Sequence, residues 1–164
     1  MSNEGKAEII RPPNTLKAKV REGGPGAVDM DTLAKAENVI ASLSDNYLEW
    51  VQEDLVRLSK AVEGLKAAPS DSEALDKVFQ VAHDMKGQGG SFGYDLITII
   101  GNSLCRFIEG LEGKGVSGGQ LEVINIHLQT MKIVIANRMK GDGGSEGIKV
   151  LKGIELVVSK VAKK

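Results

Sequence analysis

Ala82-His83-Asp84-Met85-Lys86-Gly87, continuing through Gln88-Gly89-Gly90-Ser91-Phe92-Gly93-Tyr94-Asp95-Leu96, decides how this chain is read. Leu75, Val78, Ala82 and Met85 recur at three- and four-residue steps, the stripe of an amphipathic helix. On that helix Lys86 follows His83 by three residues, so it lies on the same face about one turn on. Gly87, four residues after the histidine, removes the side chain that would stand beside the imidazole. A nucleophilic ring, a neighbouring cation and an open approach share one surface. A group that takes on and passes on a phosphoryl needs those three things, because such transfer rests on positioning and on neutralising oxygen charge. Histidine in water titrates at about 6.5, so the neutral ring, with the free lone pair that attacks, predominates at pH 7.

The glycines after the histidine are costly for a helix. Gly87, Gly89 and Gly90 each forfeit about 0.8–1 kcal/mol relative to alanine in a helix interior. Gly87 and Gly90 fall on the His83 face and would let a partner's backbone come close. Gly89 falls on the buried stripe, where it would admit close packing of another helix. Gly93 reads as the helix end, where a positive φ is wanted. The helix is expected to run from a Ser70-Asp71-Ser72-Glu73 capping box through Gly89 to Phe92.

The same periodicity extends outward in both directions. Residues 1–27 carry Pro12, Pro13 and Pro25 and read as a flexible arm, extended around Ile9-Ile10. Helical patterning begins at Asp29 or Asp31, with a short stripe of Leu33, Ala36, Ile40 and Leu43. Ser44 or Asp45 would cap a separate, longer helix carrying Leu48, Val51, Leu55, Leu58, Val62 and Leu65, which Pro69 ends. After Gly93 a helix carries Ile97, Ile100, Leu104, Phe107 and Leu111. A loop spans Gly113 to Gly119. The next helix carries Leu121, Ile124, Leu128, Met131 and Ile135 and ends by Gly141. A last one, from Ser145 to Lys163, carries Ile148, Leu151, Ile154, Val158 and Val161. Its lysines (Lys149, Lys152, Lys160, Lys163 and Lys164) read as a solvated face. No period-two alternation persists. The chain is therefore expected to be all-α, an antiparallel up-down four-helix bundle over 28–140. An extra N-terminal helix and an additional C-terminal amphipathic helix at 141–164 complete it.

Composition excludes several classes. Hydrophobic residues make up 41% and charged residues 26%, as in ordinary soluble domains. The formal charge of −1 gives no basic excess for nucleic acid, and no nucleic-acid motif is present. One cysteine, Cys105, forbids an internal disulfide. No leader-like apolar run opens the chain, and no stretch nears the ~20 apolar residues of a membrane span. A cytoplasmic protein without a membrane partner is the expectation.

His83-x-x-Lys86-Gly87, with Gly93 at +10 and Leu96 at +13, resembles the motif of the histidine phosphotransfer (HPt) domain family. The run Lys86-Gly87-Gln88-Gly89-Gly90-Ser91-Phe92-Gly93-Tyr94 looks most like HPt domains that head chemotaxis-type kinases. The resemblance implies His83 as phosphoacceptor and Lys86 as the cation that neutralises the phosphoryl. Around them Phe79, Gln80, Gly87, Gly90 and Ser91 form the docking surface, although Phe79 fits the core equally well. It implies a relay of phosphoryl groups between receiver-domain aspartates of a bacterial-type two-component phosphorelay. The partners would be response-regulator receiver domains and hybrid or chemotaxis-type histidine kinases. No cofactor is expected, since the Mg²⁺ would belong to the receiver. The chain would be a phosphocarrier without a nucleotide site.

The family places a ring-binding Gln or Glu 22 residues after the histidine. Here that position is Cys105, and Asn102, a backbone carbonyl or water are the substitutes. The missing glutamate weakens the autophosphorylating kinase variant. Two readings compete with the relay. One is a non-catalytic helical interaction module with an incidental histidine. The other is a detached phosphoacceptor domain served by a separate chemotaxis-type kinase. His127 is an internal comparison, because Thr130 and Met131 occupy its +3 and +4 positions and it reads as structural. A di-iron bundle would need Glu three residues before a histidine, and neither histidine has it. The Gly87–Gly93 run lacks the Gly-Lys-Ser/Thr ending of a nucleotide loop and follows a helix instead of a strand. Trp50 lies off its helix's stripe, with packing filler, a cover for the arm and a contact patch as its alternatives.

Overall fold

No glycine or proline interrupts the sequence between Met30 and Glu63, and a single helix, α1, runs over Met30–Ala67. The computed structural model describes residues 26, 27, 29–111 and 113–162. The expected arm at 1–27 lies almost entirely outside them, as do Lys163 and Lys164. The chain divides into two compact units, Met1–Ser42 and Leu43–Lys164.

In the first unit the described part of α1 is exposed throughout, Leu33, Val39 and Ile40 included. The separate helices expected on either side of Ser44 are one. Serine and aspartate cost a helix interior only a few tenths of a kcal/mol, too little to break it without a glycine or proline. Ser42 Oγ instead donates to the Asn38 carbonyl within the helix, at 3.0 Å.

In the second unit α1 buries Tyr47, Val51, Asp54, Leu55, Leu58, Val62 and Leu65. It stops at Ala67, two residues before Pro69. Helix α2 spans Ser72–Gly89 and continues as a 3-10 turn over Gly90–Phe92. Its cap is Asp71, whose carboxylate accepts from the Glu73 N–H at 2.9 Å. Glu73 is therefore the second helical residue, and the expected box with Ser70 does not form. Helix α3 spans Asp95–Glu109 and α4 spans Gly118–Ala136. The loop before α4 is shorter than expected. Ser117 and Gln120 make a reciprocal capping box, which draws Gly118 and Gly119 into the first turn. Helix α5 spans Gly144–Ala162 and buries Ile154, while Ile148 of its expected stripe is exposed. No strand occurs among the described residues. The architecture is an all-helical bundle with additional helices.

One core joins α1 through α5 in this unit, with Leu58, Val78, Ala82, Ile97, Ile100, Leu104, Ile124 and Met131 fully enclosed. The corner between α2 and α3 is held from three sides. Gly93 turns the chain at φ 78°, a conformation with little cost only for glycine. Its carbonyl accepts from the Gly141 N–H at 2.6 Å, and the Gly141 carbonyl accepts from the Leu96 N–H at 3.1 Å. Tyr47 stacks on Phe92 at 4.7 Å and lies 5.4 Å from Tyr94, ring centre to ring centre. Trp50 meets Phe92 edge-on at 6.0 Å while remaining 41% exposed. This corner fixes the end of the helix that carries His83.

Candidate functional site

Each residue of α2 turns about 100° around the axis. Ala74, Val78, Val81, Ala82 and Met85 are pulled into the core, and this sets where the rest must point. His83 is carried outward and is exposed, with Asp76, Gln80 and Gly87 beside it in the same state. Phe79, one turn earlier and partly buried against the core, is the imidazole's aromatic neighbour. The two rings are stacked, 6.0 Å between centres and 28° between planes. Among the described residues the His83 ring has no hydrogen bond or ion pair.

Lys86 is partly buried because its stem lies on α3. The contact exists because α3 has a glycine there. A Cβ at Gly101 would come within 3.0 Å of the Lys86 Cβ and 3.2 Å of the Ala82 carbonyl oxygen. The lysine's charge reaches Cys105, whose thiol pKa is pushed up by burial while Lys86 pulls it down and Glu109 adds a smaller rise. No described residue pairs with the ammonium. Thr98 fastens the end of α2. Its Oγ1 donates to the Lys86 carbonyl at 2.9 Å and accepts from the Gly90 N–H at 2.8 Å. Gly89 makes this possible, since a Cβ there would lie 2.9 Å from both Thr98 Oγ1 and the Tyr94 carbonyl. The close helix packing expected at Gly89 is therefore seen, with α3 as the neighbour.

The other expected residues fall in different places. A Cβ at Gly87 would meet nothing within 4 Å, so that side of the histidine is open. Gly90 is exposed but its missing side chain points at Thr98 and Asp95, 3.5 and 3.6 Å away. Ser91 is exposed on the 3-10 turn. Gln80 borders a shallow groove between α1 and α2 with Arg57, Lys60 and Lys77. Neither candidate for orienting the ring bonds to it. Cys105 is buried, and Asn102 lines a groove with residues of α4 and α5.

Sequence reasoning missed Gly101, Thr98 and the Arg57 link. Gly101 was visible as a lone glycine in the middle of an amphipathic helix, a mark of close approach. Arg57 donates to the buried Asp54 at 2.7 Å and reaches Asp84, the residue after His83, at 4.0 Å. Only its three-residue spacing from Asp54 hinted at this.

His127 shows what a structural histidine looks like here. It is fully buried on α4. Its Nδ1 lies 2.8 Å from the Val123 carbonyl, which can only accept, so the proton sits on Nδ1. Nε2 then accepts from the Ser103 hydroxyl at 3.0 Å. Burial lowers its pKa below the usual histidine value, and the bond to Val123 offsets part of that.

The arrangement at His83 can perform nucleophilic chemistry in the plane of the imidazole. Its lone pair lies in that plane, the Phe79 ring lies roughly parallel with its centre 6.0 Å away, and a cation stands one turn on. Among the described residues no three His, Cys, Asp or Glu side chains gather to hold a metal ion. No helix of the described residues is long and apolar enough to cross a membrane.

A family model described as "Hpt domain" matches residues 42–132, more than half of the chain. No curated protein and no solved structure matches it.

Proposed function

This chain belongs to the Hpt domain family, and from that premise we propose that it relays phosphoryl groups between receiver-domain aspartates through His83. The observation that carries the reading is the imidazole itself: exposed, unbonded at both nitrogens among the described residues, and open on the Gly87 side. A neutral ring nitrogen forms the N–P bond as the acyl O–P bond of an aspartyl phosphate breaks. The aspartate leaves with the bonding pair as a carboxylate, and the ring proton goes to solvent. Return to a second receiver is the reverse of these events. Lys86 supplies positive charge beside the phosphoryl oxygens without contributing a proton.

The partners on this reading are receiver domains and the hybrid or chemotaxis-type kinases that carry or feed them. They meet the surface of Gln80, Gly87, Gly90 and Ser91. The Mg²⁺ belongs to the receiver. The chain acts as a carrier in a two-component pathway of the cytoplasm, with no nucleotide site of its own. Cys105 in place of a ring-activating carboxylate favours an already activated donor over ATP.

The test is transfer from a panel of phosphorylated receivers. Acid-labile, base-stable label is expected on the wild type and on folded His127→Gln, and none on His83→Gln. Label that persists without His83 would overturn the assignment.

A further inference from the structure

Both histidines of this chain lie against phenylalanines. His127 stacks on Phe107 at 6.5 Å and 24°, and its orientation is also fixed by hydrogen bonds at both nitrogens. His83 stacks on Phe79 at 6.0 Å and 28°, with no hydrogen bond from any described residue. Cys105 on α3 is a buried thiol that makes no bond to the ring. Asn102 turns toward the groove with α4 and α5.

We propose that Phe79 is the positioning residue for His83, holding the ring by its face so that both nitrogens stay free for chemistry. This deepens the phosphoacceptor reading and rests on it. Phe79 is suited to the task because it is itself held, partly buried against the core on the same helix one turn earlier. Stacking restricts rotation of the imidazole about its bond to Cβ. It leaves the ring edge clear, and the edge carries the attacking lone pair. A hydrogen bond from α3 would give the same restraint but would occupy one nitrogen. Phe79 is then part of the site's own architecture ahead of any role as a surface for the partner.

The decisive experiment uses a donor too small to dock. Phosphoramidate phosphorylates the imidazole directly. The N–P bond to the ring forms as the donor's P–N bond breaks, and ammonia leaves with the bonding pair and takes up the ring proton. Full-length wild type, Phe79→Leu and Phe79→Tyr are compared for the rate of label at His83. Leucine should slow it on the order of three- to tenfold by loosening the ring, and tyrosine should restore it to within about twofold. Wild-type rates in Phe79→Leu would overturn the proposal, even if transfer from receivers fell, since Phe79 would then be a docking contact. A second measurement needs no phosphate. The His83 ring protons should be shifted upfield by the Phe79 ring current in proton NMR, and that shift should vanish in Phe79→Leu. Unchanged ring-proton shifts in Phe79→Leu would equally overturn it. The two readings fail separately: receivers that never label the wild type sink the relay, while the phosphoramidate comparison still decides Phe79.

Discussion

His83 and His127 are the chain's two histidines, and the physical difference between them is what their nitrogens touch. His127 is closed at both, and burial holds its pKa below the ordinary value. A histidine lowered in this way leaves stability intact above ~6.5. Below that the unfolded chain takes up a proton that the folded one refuses. Stability then falls, by up to about 1.4 kcal/mol per pH unit, until the lowered folded pKa is reached. Urea unfolding of wild type between pH 7.5 and 5.5 should show this slope in excess of that of His127→Gln. Identical slopes would contradict the account of His127. The sequence distinguished the two residues through their +3 and +4 neighbours, Lys86 and Gly87 against Thr130 and Met131. It could not show that neither Asn102 nor Cys105 bonds the ring. That depends on how α3 is rotated against α2, and Gly101 and Gly89 set that rotation.

At the scale of the helices, two glycines near His83 make opposite predictions. Gly101 lies where a methyl group would press on the backbone of Ala82 and Lys86. Gly101→Ala gains about 1 kcal/mol of helix propensity. It loses more, since a methyl group added to a packed interface typically costs about 1–3 kcal/mol. Its urea midpoint should fall. A Cβ at Gly87 would meet nothing, so Gly87→Ala should stabilise by about 0.8–1 kcal/mol. Transfer from a receiver should slow in that variant and phosphoramidate labelling should not. A rise in midpoint for Gly101→Ala, or a fall for Gly87→Ala, would contradict the packing described. Helix positions were legible in the sequence because buried stripes repeat at three and four residues. Their ends were less so. Asp71 takes the cap where a box opening on Ser70 was expected, and the box of Ser117 and Gln120 was hidden by the glycines around it.

For the molecule as a whole, periodicity alone did not separate a buried stripe from an exposed one. Leu48 to Leu65 and Leu33 to Leu43 repeat alike. The first belongs to the core cluster, while Leu33, Ile40 and Leu43 are 43%, 60% and 39% exposed. A stripe is buried only where other helices pack on it, and one helix's sequence does not contain that information. Leu58→Ala, at a fully enclosed site, should cost about 2–5 kcal/mol. Leu33→Ala should stay within about 0.5 kcal/mol of wild type, as read from urea unfolding of each. Equal losses would mean that the Leu33 stripe is covered in solution.

On the proposed relay, one exposed imidazole carries the phosphoryl group, and the most direct measurement is where that group resides. Full-length protein, incubated with a phosphorylated receiver and digested at neutral to alkaline pH, should yield one phosphopeptide in the mass spectrometer, with the phosphate on His83. Phosphate found on His127 or on any other residue, or no phosphopeptide from a receiver that has lost its label to the chain, would contradict the account.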